Sequence, residues 1–360
     1  MTIALVYGGR SAEHDVSISS AKTMHQALRQ AGFSVLLIAI TLEGRWYLQQ
    51  AEVSKHISTD KPVFAAAGLG FFVGDAKLAI DAVFATTHGY GGEDGNLQGL
   101  CMLSRLPLCG CDTVCSALGM HKHLAAVVFE SEHIPTVPTL VLTKEQVQDG
   151  PFDQLLVQSQ SKLGPDLFVK PENSGSSVGV SALAKSDLQS FQDAVKLAGV
   201  YSERVLVQQL IHPLLEVETA VLQTSDRGLV IAGPGLVVDP AKQNVGYLSY
   251  EHKYGQVDPA HIRIPSGLDA GIECTIIEYA RKAFLAIKGD GYARIDFFVS
   301  GNRIYLNEIN TSPGMTGTSH YPALMASIGY DLPTICRHLV ADALKRNAEE
   351  RQRIYTPPRQ

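Results

Sequence analysis

The chain has 360 residues, 45% of them hydrophobic and 18% charged, with a net charge of −6 and a pI near 6.1. This is the composition of a soluble globular protein long enough for two or three domains. The lack of a basic excess argues against nucleic-acid binding by bulk electrostatics, and no apolar run approaches the ~18 residues of a membrane span.

Residues 3–7 read as a buried strand rather than a signal peptide, because the apolar run is short and has no basic flank. Gly8-Gly9 and a polar turn follow. Val16, Ala21, Met24, Ala27 and Leu28 then recur at helical spacing up to Gly32. A second strand at 33–40 completes a βαβ pattern, the mark of a parallel sheet. No G-x-G-x-x-G occurs, which argues against a dinucleotide site. Residues 41–48 read as a hairpin extension, and 51–75 carry no usable period. A strand at 78–87 runs into His88-Gly89-Tyr90-Gly91-Gly92-Glu93-Asp94-Gly95. Open α/β sheets place ligands at such strand ends. Helices are expected at 96–106, 113–120 and 121–132, with a short strand at 108–110. Four of the six cysteines cluster at 101, 109, 111 and 115. Cys109-x-Cys111-x3-Cys115 lacks the paired C-x2-C of structural zinc sites, so buried thiols are expected.

Beyond Ile134-Pro135 the pattern changes. Strands are expected at 139–142 and 167–169. The second leads into Lys170-Pro171-Glu172-Asn173-Ser174-Gly175-Ser176-Ser177-Val178-Gly179-Val180. Strand, Gly/Ser loop, strand is a hairpin whose N–H and hydroxyl groups can fold over phosphates. It is not a Walker A loop, since the lysine precedes it and no GK[ST] occurs, and a flexible surface hairpin would read the same way. A helix at 187–198, a strand at 205–207, a hinge at 208–213 and paired strands at 216–222 and 229–232 follow. Residues 240–265 are expected to form a long polar loop with Tyr250, Lys253 and Tyr254; a structureless loop of this length is usually a functional lid or disordered. A helix at 269–288 and a closing helix at 332–345 complete the chain, with a frayed tail after Asn347.

The stretch 290–315 is the most informative. It reads as two antiparallel strands joined by a tight turn at Ser300-Gly301-Asn302. Glu308 and Asn310, two apart, share a face, and Asp296 joins them if the turn has an odd number of residues. Two carboxylates and an amide oxygen suit Mg²⁺, and Arg294 is placed to bind phosphate oxygens or a developing oxyanion. The alternative, a solvated charged ribbon, conflicts with the apolar flanks Phe297, Phe298, Val299, Ile304, Tyr305 and Leu306. Thr311-Ser312-Pro313-Gly314 is a turn able to present N–H groups to an anion.

Taken together, these motifs resemble the D-alanine–D-alanine ligases of the ATP-grasp superfamily. The resemblance rests on Gly8-Gly9-Arg10-Ser11-Ala12-Glu13, the HGYGGEDG run at 88–95, residues 116–122 and 169–179, YEHKY at 250–254, and the segment 294–315 with its NEINTSPGMT run. It implies an α/β protein, α+β in its ATP-binding part, with the three-domain ATP-grasp fold. The implied domains are an N-terminal α/β domain at 1–120, a central subdomain at 121–213 with the glycine-rich loop, and a C-terminal subdomain at 214–360 with lid and metal site. The nucleotide would lie between the last two. The implied reaction is ATP-dependent, ADP-forming ligation of two D-alanines through an acyl phosphate, for peptidoglycan precursors. ATP and two Mg²⁺ ions (with Mn²⁺ as substitute) would serve it in a cytoplasmic homodimer that binds small molecules and neither nucleic acid nor membrane. D-Ser or D-lactate as the second substrate, or another carboxylate–amine ligase of the superfamily, is the alternative; Tyr254 favours an amine nucleophile.

The resemblance also implies roles. Asp296, Glu308 and Asn310 would hold the metals. Lys122 and Lys170 would contact the nucleotide phosphates, with Ser176, Ser177 and Val178 capping them and Lys253 reaching the γ-phosphate. Gln208 and Leu210 would meet the adenine and Glu216 the ribose, with Glu218 the competing alignment. Glu13 would hold the first D-Ala ammonium with His88 close by, Ser319 the second carboxylate, and Arg294 and the Gly314 N–H the oxyanion. Tyr254 would close the lid through Ser176 and Glu13. Departures from the family pattern are Gln208 in place of a glutamate, His212-Pro213-Leu214-Leu215 in place of a glycine-containing turn, and His320 where relatives often carry an apolar residue.

Overall fold

The computed structural model describes residues 1–50, 52–175, 177–224, 226–239 and 260–353. Strand β1 (Thr2–Gly8) is buried on both faces from Ile3 onward, as a strand central to a covered parallel sheet must be. It pairs in parallel with β2 (Ser34–Ile40) and β7 (Ala82–Ala85). Helix α1 (His14–Gln30) makes the crossover between β1 and β2 and buries Ile18, Ala21, Met24 and Leu28. With β3 (Trp46–Leu48) antiparallel at one edge and β8 (Leu108–Cys109) at the other, the order is β3-β2-β1-β7-β8.

The stretch without a period is a small antiparallel sheet of β4 (Val63–Ala66), β5 (Gly70–Val73) and β6 (Ala76–Lys77). Its strands are two to four residues long and largely uncovered, so no alternation could develop. The strand expected at 78–87 shortens accordingly: the Leu78 N–H donates to Phe71 O of the small sheet. Helix α2 (Asn96–Leu103) stops before its expected end because Arg105 takes a left-handed conformation (φ 56°) and the Leu106 N–H bonds back to Cys101 O. Helices α3 (Thr113–Met120) and α4 (Lys122–Ser131) follow. Cys101, Cys109, Cys111, Cys115 and Cys336 are buried free thiols, and Cys274 is exposed.

The second sheet, order β11-β10-β12-β9, is antiparallel and uses β9 (Thr139–Leu142), β10 (Leu167–Pro171), β11 (Ser181–Leu183) and β12 (Val205–Gln209). Helices α5 (Lys144–Asp149), α6 (Phe152–Leu163) and α7 (Leu188–Tyr201) pack on it through Leu155, Phe191 and Val195 against Leu167, Val169 and Val207. The third sheet, order β15-β14-β13-β16-β17, comprises β13 (Leu215–Thr224), β14 (Gly228–Val238), β15 (His261–Arg263), β16 (Tyr292–Ser300) and β17 (Arg303–Asn310). β15 falls inside the expected long loop. Helices α8 (Ala270–Ala286), α9 (His320–Ser327) and α10 (Leu332–Arg351) complete the fold, and α10 runs past the expected fraying at Asn347 because Arg346 donates to Leu108 O and Gly110 O.

Two shared cores bring the pieces together. Ile335, Leu339 and Val340 of α10 pack in one cluster with Ile3, Leu5 and Phe84 of the first sheet and with Tyr292 of β16. Ala125 and Phe129 of α4 join Ile295, Phe297 and Ile304 of the third sheet and Phe284 of α8. The C-terminal end of β7 and the start of β17's following loop therefore meet at one cleft, where Ser312 Oγ donates to Thr87 O.

Candidate active site

The β16–β17 hairpin has a two-residue turn, Gly301-Asn302, with Ser300 opposite Arg303. An unbroken ladder from that turn would set Asp296 against Asn307 and send Glu308 to the other face. The ladder is broken instead. Phe297 pairs with Leu306 but Asp296 pairs with Glu308 and Arg294 with Asn310, so Asn307 is the extra residue of a β-bulge. The bulge, not the turn, supplies the odd residue and gathers Arg294, Asp296, Glu308 and Asn310 on one face. Its signature is in the sequence: Ile304 and Leu306 are buried at even positions, Ile309 at an odd one.

These charges are paired with one another. Arg294 grips Asp296 in a fork, Nε to Oδ1 and Nη2 to Oδ2, both 2.7 Å. Its Nε lies 3.4 Å from Glu218 Oε2 on the neighbouring strand β13. Removing one side of such a buried pair costs roughly 3–5 kcal/mol. Asp296 is nevertheless pushed up from the usual carboxylate range, since burial, helped by Glu218 and Glu308, outweighs Arg294. The Asn310 Oδ1 accepts from the Ser312 N–H at 3.0 Å. The donor set of two carboxylates and an amide oxygen fits a hard divalent cation, which would relieve the crowding of Asp296, Glu218 and Glu308.

Two lysines converge on the same face. Gly119 lets α3 approach the end of β17, where a Cβ would lie 2.8 Å from Thr311 Cγ2. That contact sets Lys122, at the start of α4, with its Nζ 3.3 Å from Glu308 Oε2 and donating to Ser174 O at 2.8 Å. Lys170, at the end of β10, donates to Asn307 Oδ1 at 3.2 Å. Burial, then the charge of Lys122, lowers its pKa to about 8. Two cations held this close are matched to a polyanion rather than to one carboxylate. Ser177, with φ 56°, and Val178, whose N–H donates to Gly175 O, line the cavity at the turn of the glycine-rich loop. Ser176, Tyr250, Lys253 and Tyr254, with the rest of the expected lid at 240–259, lie outside the described residues.

Across the cavity, which has a volume of about 820 Å³, stand residues of the first sheet's loops. Glu13 precedes α1, and a Cβ at Gly175 would come within 3.2 Å of its Oε2, so the glycine-rich loop touches it. His88 is buried, its Nε2 has no hydrogen-bond partner among the described residues, and burial lowers its pKa against the opposing pull of Glu13. Glu93 receives the Gly89 N–H at 3.0 Å, and burial followed by Glu13 raises its pKa to about 8. In the sequence it is visible only as part of a motif. Gly314 lies under Ser319: a Cβ there would sit 2.9 Å from Ser319 Oγ. That hydroxyl accepts from the Thr316 N–H at 3.0 Å and does not cap its own helix α9.

The end of β12 is neutral. Thr139 Oγ1 donates its one proton to Val137 O at 2.6 Å, so it must accept from Gln208 Nε2 at 2.8 Å. This orients the Gln208 amide and leaves Oε1 as its acceptor. Leu210 lines the cavity, but its N–H donates to Asp166 O at 3.0 Å and is not offered to a base.

Family models described as the D-ala D-ala ligase N-terminus and C-terminus match residues 2–111 and 128–341. The chain belongs to the D-alanine–D-alanine ligase family. A D-alanine–D-alanine ligase of Bradyrhizobium sp. (strain ORS 278) is 35% identical over 364 residues, covering 97% of each chain. Among solved structures, D-alanyl-alanine synthetase A of Vibrio cholerae superposes with a TM-score of 0.83 at 30% identity, covering 96% of this chain and 98% of that one. The VanG D-Ala:D-Ser ligase of Enterococcus faecalis gives 0.81 at 29%, covering 95% and 99%. The fold is thus the ATP-grasp fold of an ATP-dependent, ADP-forming ligase family.

Against the ligase pattern, every described residue expected at the site lines or borders this one cavity. Glu216 and Glu218, two apart on β13, both lie on its cavity face, opposite Phe298 and Asp296 respectively. The ring of His320 turns to Glu218, with Nδ1 2.9 Å from Oε2. Burial lowers its pKa, but the charge and hydrogen bond of Glu218 outweigh this and leave it raised. The sequence carries no sign of the His320–Glu218 pair, whose members are 102 positions apart.

Proposed function

We propose that the chain joins two D-alanines into D-alanyl-D-alanine at the expense of ATP, in the cytoplasm, for peptidoglycan precursors. The observation that carries the reading is the opposition, within one cavity, of two lysines and an oxygen-donor face to Glu13 and to His88, whose Nε2 has no hydrogen-bond partner among the described residues. Lys122 and Lys170 bind the β- and γ-phosphates, with Ser176, Ser177 and Val178 folding over them and Lys253 joining from 240–259. Gln208 Oε1 accepts from the adenine amino group, and Leu210 packs on the base. Glu216, which lines the cavity, takes the ribose. Asp296, Glu308 and Asn310 would hold Mg²⁺, two ions in the full site and replaceable by Mn²⁺, which neutralise phosphate charge during transfer.

Glu13 holds the first D-Ala ammonium beside His88. The carboxylate oxygen of that D-Ala attacks the γ-phosphorus, ADP leaves, and an acyl phosphate results. The amine of the second D-Ala, oriented by Ser319 and the α9 N-terminus, attacks the carbonyl; Arg294 and the Gly314 N–H stabilise the oxyanion, and phosphate leaves. Tyr254 closes the site through Ser176 and Glu13, so that water does not reach the acyl phosphate.

We also propose the division at 1–120, 121–213 and 214–360; each large sheet draws its strands from one of these segments. A homodimer through the first segment is supported by the exposed Phe64, Leu69, Met102 and Leu103 there. No described helix is long and apolar enough to cross a membrane.

The test is ATP-dependent phosphate release with Mg²⁺ and D-Ala, products identified by mass. Equimolar phosphate and dipeptide are expected. Product only when D-Ser or D-lactate is added would move the second substrate, and no turnover with any pair would reject the reading.

A further inference from the structure

His320 stands where its ring meets two acceptors. Nδ1 is 2.9 Å from Glu218 Oε2, and Nε2 is 3.4 Å from the Ala260 carbonyl. Only a ring protonated at both nitrogens satisfies both. The same Oε2 lies 3.4 Å from Arg294 Nε, so one oxygen of a buried carboxylate is shared between the histidine and the arginine. Arg294 uses its Nε–Nη2 edge on Asp296, and among the described residues its remaining edge makes no side-chain hydrogen bond, which leaves it to a ligand.

We infer that His320 is a positioning residue: it holds Glu218 away from Arg294, so that the guanidinium keeps its fork on Asp296 and its other edge toward the reacting carbonyl, and it does not itself bind the second amino acid. The physical reason is competition for a cation. Glu218 is nearly inaccessible to water, and a buried carboxylate that loses one partner closes on the next. Without His320, Oε2 moves onto Arg294 Nε, and the guanidinium swings with it. An arginine that must be aimed before the transition state loses effect with small misplacements. The alternative use of this histidine, direct binding of the second substrate's carboxylate next to Ser319, is opposed by the direction of its ring.

This rests on the ligase reading, and its test separates the two. Under saturating ATP, His320→Leu is expected to lower kcat about tenfold, with KM for the more weakly bound D-Ala changed less than twofold. His320→Gln, whose amide donates to Glu218, recovers most of the loss. Glu218→Gln lowers kcat similarly, and the double variant is no slower than the slower single one. A rise in KM at constant kcat, or losses that multiply, overturns the inference. A second readout needs no turnover. Urea unfolding midpoints of H320L, E218Q and the double variant are expected to be less than additive, and additive shifts overturn the contact. If the wild-type protein does not ligate D-Ala, the ligase reading fails while the unfolding cycle still reports on the pair.

Discussion

The carboxylate face of β16–β17 and the end of β12 line the same cavity by opposite means. On that face, Asp296 and Glu308 of the hairpin and Glu218 of the adjacent β13 are each answered by Arg294, Lys122 or His320, and no member is tolerable alone in a buried place. At the end of β12, Gln208 is held by one neutral hydrogen bond to Thr139. A charged, mutually paired surface is expensive to alter, whereas a neutral one tolerates substitution. In the proposed placement of adenine against Gln208 a neutral acceptor would suffice, because adenine carries no charge and an amide oxygen accepts.

The contrast sets the scale of the following tests. Glu308→Gln removes one metal-facing charge and is expected to lower phosphoryl transfer about 10³-fold, corresponding to ~4 kcal/mol, with the circular dichroism spectrum unchanged. Full activity would reject the metal assignment. Lys170→Met is next, weakening ATP by about 10–100-fold in a direct binding measurement, the value of a charged hydrogen bond to phosphate. Lys170 also gives a pH signature. Below about pH 8 it is charged in the free protein and meets phosphate at no protonation cost. Above that, binding must take up a proton, so wild-type affinity falls by about tenfold per pH unit, and K170M loses this dependence. A wild-type profile flat from pH 7.5 to 9 contradicts the placement of Lys170 at the phosphates.

On the neutral side the effects shrink. Gln208→Ala removes one acceptor and should weaken ATP about fivefold, the value of ~1 kcal/mol. A loss as large as that of K170M would erase the contrast between the two regions. The smallest change is Thr139→Val, which leaves Gln208 free to rotate and should cost about twofold in ATP affinity, ~0.5 kcal/mol. Unchanged affinity would mean that Thr139 does not orient the amide.

Much of the fold is legible in the residues alone. The apolar run at 3–7 forms β1, the helical spacing through Leu28 forms α1, and the helix expected at 113–120 is α3, capped by Asp112. The hairpin's charged positions also share the expected face, but by a different device: a bulge at Asn307 does what an odd turn would do. The parity switch from Leu306 to Ile309 is the signal of that bulge in the sequence. Helices α5 and α9 and the sheet β4-β5-β6 leave no comparable trace, because short elements with one covered face have weak periodicity; α6, not among the expected elements, does carry a helical period, with Leu155, Leu156, Ser159 and Leu163 buried.

The chemistry of the site follows from the chain's own motifs, since a carboxylate, a lysine or a glycine is required at its motif position whatever surrounds it, and those motifs identify the family. Which charges answer one another is settled only by the folded arrangement. Glu218, Arg294 and His320 come from three separate elements, and their pairing arises where β13, β16 and the start of α9 meet. Electrostatic partners are set by distance in space and by the exclusion of water, and neither is carried by spacing along the chain.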